Sequence, residues 1–374
     1  MLKAEIVHPS ELTSAEVTSW SRLQLAAPEL GSPLLGSGFA LAVGAVRPDA
    51  RVAIWRDGRR ASGFLGFHHT AGGFARPIGA PFSDYQALIS RPQFPQAFEA
   101  LEAAGLNGVR LTGLIDPHRV FPGDLKPVLA HRIDLSAGGE AYLASLWAGS
   151  GNRWRNFKRY SRRLEGEIGP LDVRAPDTSA TTFEALFAWK RRQLAGTGLH
   201  DFTSAPWVQE LMRRLFESRD EAFGGLLVSL YAGDRPVAAH FGVRQDGWYH
   251  PWLGAYDPDL AAFSPGLVHQ VLAADAAARI GIRTYDLGPR ADHSKAMFAN
   301  AAAEVREGVA LGASLPATLA IRSEQFLSQG LLERARKRWD HIAAVELTLG
   351  GRLAGVARAA GALGHRVGAW SKAA

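Results

Sequence analysis

One order of elements, written twice, constrains this chain more than any other feature. The stretch LLVSLYAGDRPVAAHFGVRQDGWYHPWLGAY, beginning at Leu226, alternates apolar runs with tight turns and reads as strand, turn, strand, turn, strand. A helical run, PGLVHQVLAADAAARIGI, and a further strand, RTYDLG, follow it. The same succession stands earlier. RVAIWRDGRRASGFLGFHHTAGGFARPIGAPF has turns at Asp57-Gly58 and Gly72-Gly73, and leads into the helix PQAFEALEAAGL, closed at Gly105, and the strand GVRLTGL. Laid together without a gap, Arg59 meets Arg235, Gly66 meets Gly242, and Ala71 meets Gly247. This repetition predicts a duplicated α/β unit, and 374 residues are enough for two such units. We expect them at 1–150 and 151–310, the second opening with a basic linker helix, followed by a helical extension over 311–374.

Composition narrows the chemistry. The chain has no cysteine, which excludes disulfides, thiolate zinc sites and a cysteine nucleophile. No apolar run approaches the ~20 residues of a membrane span, and the acidic N-terminus lacks a signal-peptide core. The expected location is the cytoplasm, with at most peripheral contact with the inner face of the membrane. A formal charge of +6 fits an anionic partner or an arginine-rich bias. Its placement is more informative. NRWRNFKRYSRRLEGEIG carries Arg or Lys at 153, 155, 158, 159, 162 and 163, with Trp154, Phe157, Tyr160, Ser161 and Leu164 as an apolar stripe. That pattern reads either as a solvated linker helix or as a cationic wall beside a phosphorylated ligand. Beyond residue 310, Leu353, Val356, Ala360, Leu363, Val367 and Trp370 share one helical face, with Arg352, Arg358, Arg366 and Lys372 largely elsewhere. This fits docked helices, a membrane-surface helix, or a pocket for an anionic nucleotide regulator such as a cyclic dinucleotide.

The second hairpin holds most of the candidate chemistry. A two-residue turn at Asp246-Gly247 sets Gln245 opposite Trp248, Gly242 opposite Pro251 and His240 opposite Leu253. In that register His240 and Tyr256 lie on opposite faces. Pro251 cannot donate to the ladder, and a bulge there or at Gly254 would bring both into one cleft. His240 is either a hydrogen-bonded core residue or a base able to take a proton at neutral pH. The next helix opens with Ser264 as N-cap and Pro265 at its first position, while Gly266 permits close approach to the backbone. Free N–H groups there can hold a phosphate. Asp286 sits within a strand and requires a partner; Lys295 begins a short helical segment beyond it.

The series GDRPVAAHFGVR, WLGAYDPDLAAFSPGLV, TYDLG and SKAMF resembles GNAT-superfamily acetyltransferases of the CelD type, associated with cellulose and exopolysaccharide production. These are similar to FemAB-type aminoacyltransferases in having tandem GNAT-like domains. PFSDYQALI, the basic RWRNFKRYSRRLE helix and FAWKRRQLAGTGLHDF agree in position, and the likeness spans roughly residues 50 to 300. The resemblance implies an α/β fold of mixed sheets flanked by helices, with an acyl donor bound where two central strands splay. It implies acetyl-CoA or another acyl-CoA as donor substrate, with Ser264, Pro265, Gly266 and Leu267 in the donor-binding position and no metal. The equivalent loop, Ala261–Gly266, lacks the usual arginine and repeated glycines, which leaves a different acyl donor open. By the same resemblance His240, Asp286, Arg290 and Lys295 line the second cleft, while Asp84 and Tyr85 belong to the first-unit motif.

Read this way, the protein is an N-acyltransferase acting on an amino sugar or polysaccharide precursor. His240 or a water deprotonates the amine, Tyr256 protonates the leaving thiolate and Asp286 supports the site. Two alternatives stand beside it. One is a FemAB-like aminoacyltransferase acting on a peptidoglycan precursor, although the linker is short for the helical arm such proteins carry. The other is a nucleotide-binding effector protein of a polysaccharide machine. No element suggests a DNA partner.

Overall fold

The computed structural model describes residues 3–121, 125–148, 151–197, 200–289, 293–312 and 330–357. Its strands are β1 (Lys3–Val7), β2 (Ala50–Asp57), β3 (Arg60–Thr70), β4 (Phe74–Pro77), β5 (Ile89–Ser90), β6 (Gly108–Leu114), β7 (Lys126–Asp134), β8 (Leu171–Arg174), β9 (Phe223–Ala232), β10 (Arg235–Gln245), β11 (Trp248–Tyr256), β12 (Thr284–Pro289) and β13 (Ala301–Leu311). Its helices are α1 (Ser14–Leu25), α2 (Ser37–Gly44), α3 (Ala97–Ala103), α4 (Gly139–Ala148), α5 (Gly151–Glu167), α6 (Ala180–Thr197), α7 (Pro206–Glu217), α8 (Pro265–Arg279), α9 (His293–Phe298) and α10 (Gly330–Val345).

The local signals act as their chemistry requires. At Asp246-Gly247 both residues have positive φ, 48° and 79°, the backbone of the hairpin turn whose twist matches the flanking strands. Thr13 and Glu16 form a reciprocal capping box that starts α1. Gly105, at φ 66°, lets the chain leave α3 and return to the sheet as β6.

Both copies of the repeat pair alike. β4 runs parallel to β6 through Phe74–Gly108 and Ala75–Val109, and β11 runs parallel to β12 through Trp248–Thr284 and Tyr249–Tyr285. After two pairs each ladder stops and the strands separate. The expected pair of sheets is joined into one, in the order β1-β2-β3-β4-β6-β13-β7-β12-β11-β10-β9-β8 among the described residues. The join is an exchange: β7, which follows the first copy, pairs with β12 of the second, and β13, which follows the second, pairs with β6 of the first. β7 and β13 also pair with each other, so main-chain hydrogen bonds cross the seam continuously. Helices cover the sheet, and one apolar cluster unites residues of the first copy, such as Phe39 and Phe82, with Phe183, Trp207 and Phe241 of the second.

α10 docks over the same junction. The fully buried Arg47 donates to the Ala344 carbonyl (3.1 Å), pairs with Asp49 (2.7 Å) and lies 4.6 Å from the Trp207 ring centroid. Trp207 Nε1 in turn donates to the Val345 carbonyl at 2.8 Å.

Candidate functional site

The site forms where β11 and β12 part. Because neighbouring strand residues point to opposite faces, Tyr285 and Asp286 carry the gap's chemistry to two sides of the sheet.

On the α8 side, a bulge between Phe241 and Gly242 corrects the simple register. His240 opposes Gly254 rather than Leu253, while Ala238 opposes Tyr256. His240 and Tyr256 therefore share one face, as a bulge at Pro251 requires. His240 Nδ1 lies 2.6 Å from the Tyr285 hydroxyl, and its ring meets His269 edge-on at 4.4 Å. Gly254 makes room for it, since a Cβ there would stand 2.7 Å from His240 Cδ2. Burial holds His240 well below its ordinary pKa, with His269 and Lys190 adding to the effect. The imidazole is neutral at pH 7, the form able to accept a proton. Lys190 donates to the Gly254 carbonyl at 3.3 Å, and burial lowers its own pKa.

The mouth of this side is the start of α8. Ser264 stands at the N-cap position, but with φ 48° and ψ 51° its side chain makes no capping bond. It meets Tyr160 instead, whose phenol Ser264 and Arg159 hold below its usual pKa. Gly266 is filled by a neighbour as well: a Cβ would come within 3.2 Å of the Tyr256 ring. Pro265 is buried within the first turn, and Leu267 is half-buried behind it. The basic helix α5 stands beside this mouth. Arg163 Nη1 donates to the Ala262 carbonyl (3.3 Å), and its guanidinium lies 4.9 Å from the Phe263 ring centroid. The loop, which itself lacks arginine, thus has Arg163 beside it from a helix 99 residues away in sequence.

On the opposite face the two copies meet. Asp286 is fully buried and accepts from the Tyr85 hydroxyl (2.7 Å) and the Gly288 N–H (2.8 Å). Arg132 Nε lies 3.4 Å from its other oxygen. His250, 1% exposed, stands between two carboxylates: its Nδ1 is 3.6 Å from Asp286 and its Nε2 is 3.1 Å from Asp84. Burial would lower the His250 pKa, but Asp286 and Asp84 offset it and raise the value to about 9. Asp286 shows the converse: burial would raise its pKa, yet His250, Arg132 and Tyr85 hold it below the usual range. Tyr85 is pushed well up by burial and by the Asp286 charge. At neutral pH His250 is an imidazolium beside the ionised Asp286 and the neutral Tyr85 phenol, with Asp84 half-exposed at the outer end. Gly288, at φ 83°, lies beneath Asp84 and Lys295: a Cβ there would be 2.7 Å from Asp84 Oδ2 and 3.4 Å from Lys295 Nζ. Lys295 donates to the Pro289 carbonyl at 3.3 Å.

Asp84, Tyr85, Asp286 and Lys295 thus converge from opposite ends of the sequence, while His240, Tyr256 and Ser264–Leu267 gather across the sheet from them. Arg290 lies outside the described residues, as do Arg358, Arg366 and Lys372. Sequence reasoning missed His250 and Arg132. The available signals were a histidine immediately before the ladder-breaking Pro251 and an unpartnered strand acid, Asp286. Among the described residues no group of three His, Asp or Glu side chains could hold a metal ion, and no helix is long and apolar enough to cross a membrane.

Residues 151–296 match the acetyltransferase (GNAT) domain family. Among solved structures, FemX superposes with a TM-score of 0.52 at 11% identity, over 87% of this chain and 100% of FemX. That likeness speaks to the fold alone. The tandem GNAT protein from the clavulanic acid biosynthesis pathway gives 0.48 at 11% identity, over 84% of this chain and 100% of that one. The C-terminal domain (DUF2156) of a putative lysylphosphatidylglycerol synthetase from Agrobacterium fabrum gives 0.48 at 13%, over 83% and 95%. No curated protein sequence matches the chain. Residues 151–296 thus form a GNAT-type acyltransferase domain, and the protein is an acyltransferase.

Proposed function

We propose that the protein transfers an acyl group from a coenzyme A thioester, acetyl-CoA first among them, to the amino group of a sugar or sugar precursor. The observation that carries this reading is the early end of the β11–β12 ladder, with the start of α8 and the α5 arginines at its mouth. Helix N–H groups and arginines together favour the donor's phosphates. The thioester then lies along the gap, and the acceptor amine approaches from the Asp84 face. The amine nitrogen bonds to the thioester carbonyl carbon as its proton passes to neutral His240. The C–S bond breaks, and the thiolate takes a proton from Tyr256. Asp84 receives the incoming ammonium, which releases one proton to solvent before the neutral amine attacks; His250, Asp286 and Tyr85 fix Asp84 from behind, with Lys295 beside it.

Under this reading the chain divides into units at 1–150 and 151–310 and an extension at 311–374, each unit lending its last strand to the other. The order of the CelD-like motifs supports an acceptor destined for an extracellular polysaccharide, and the cytoplasm is where acyl-CoA is available. Calorimetry with acetyl-CoA and longer acyl-CoAs tests the donor: one-to-one binding is expected, and no heat with any of them would end the reading.

A further inference from the structure

A cavity of about 590 Å³ opens on the seam, next to the polar constellation. It lies between the segment following β6, the middle of β13, Arg132 of β7 and Glu29. Its size is that of a small-molecule site. Arg132 is a wall shared with the constellation: it lines the cavity, approaches Asp286 at 3.4 Å, and lays its guanidinium 4.7 Å from the Trp248 ring centroid. Asp286 Oδ2 and Arg132 Nε are both buried without a hydrogen bond of good geometry, so polar capacity remains at this wall.

The other charges sort into two groups. Asp116 is structural: it accepts from the Val120 and Phe121 N–H groups (2.8 and 2.9 Å) and pairs with Arg306 at 3.3 Å. That clamp fixes the loop and leaves Arg119, at φ 52°, turned out to the cavity rim. Arg119, Glu29 and Glu304 are exposed and have no ion-pair partner among the described residues. Ile115 and Phe121 are buried beneath them as an apolar floor. A cavity with one guanidinium and two carboxylates unpaired among the described residues complements a ligand that carries both an anion and an amine.

We propose that this cavity is the acceptor pocket, taking a small amine that also bears an anionic group, an amino-sugar phosphate or an amino acid. Arg119 holds the anion and Glu29 and Glu304 hold the hydroxyls, with the amine directed past Arg132 toward Asp84. This rests on the acyl-transfer reading for its role, but the pocket is tested without a donor.

The experiment is calorimetry of the full chain with glucosamine 6-phosphate, glucosamine, glucose 6-phosphate and L-lysine, acyl-CoA absent. Glucosamine 6-phosphate or lysine should bind, and the tighter of the two names the source. Sugars with only one of the two groups should bind about tenfold more weakly. Arg119→Gln and Glu304→Gln should each weaken the bifunctional ligand by about tenfold, while circular dichroism stays unchanged. Failure of both bifunctional ligands to bind, or affinity that both variants leave intact, would overturn the proposal. Sugar binding in a protein that ignores every acyl-CoA would keep the pocket and remove the acyl-transfer reading.

Discussion

Replacing His250 by glutamine removes the one cation lying between Asp84 and Asp286, and the consequence depends on pH. The imidazole holds its proton more tightly in the fold, with the pKa raised from 6.5 to about 9. At about 1.4 kcal/mol per pH unit, this corresponds to about 3 kcal/mol of stability. The sign is set by the raised pKa: the contribution is complete below 6.5 and is lost as pH climbs through about 9. Urea denaturation of wild type and His250→Gln, followed by tryptophan fluorescence across that window, reads the effect. The gap between the two should narrow by about 3 kcal/mol from the acid to the alkaline end. At neutral pH that same loss is felt as an Asp286 left buried beside a weaker partner. Adding Asp286→Asn should recover part of that loss, because the pair is coupled. Curves that stay parallel from acid to alkaline pH would refute the charged His250, as would additive losses in the double variant.

Two further outcomes follow from the donor side. Gly254→Ala puts a methyl group 2.7 Å from His240 Cδ2. It should displace the imidazole from Tyr285 and lower kcat by about tenfold or more, at a stability cost of about 1–3 kcal/mol; unchanged turnover would separate His240 from the chemistry. The double variant Arg159→Ala/Arg163→Ala should raise the KM for acetyl-CoA about tenfold but leave that for an acyl-pantetheine without nucleotide phosphates unchanged. Equal effects on both donors would remove the arginines from the phosphate site.

The repeated order of elements was legible because strands, glycine turns and helix ends are written locally. The turn at Asp246-Gly247 and the exit at Gly105 are examples. The exchange of β7 and β13 left no such mark, since pairing across a seam depends on what each strand meets after both copies have folded. His240 was placed opposite the wrong neighbour because a bulge adds one residue without changing composition. Asp286 was recognised as an acid in need of partners, but Tyr85, His250 and Arg132 come from three separate stretches and only the folded sheet brings them together. At Gly266 the sequence showed room at the backbone, and the fold adds that the Tyr256 ring borders it, 3.2 Å from where a Cβ would stand. The α5 arginines were visible as a charge pattern, yet their place beside Ser264 follows from the packing of α5 on α8.

The central claim is that residues of both copies form one acyl-transfer site at the seam. Coenzyme A release from acetyl-CoA with glucosamine 6-phosphate, compared between wild type and Asp84→Asn, tests it directly. Asp84 belongs to the first copy and stands outside the matched GNAT domain. The account predicts that kcat/KM for the amine falls about a hundredfold while the Kd for acetyl-CoA stays within about twofold. Turnover unaffected by the substitution would contradict it.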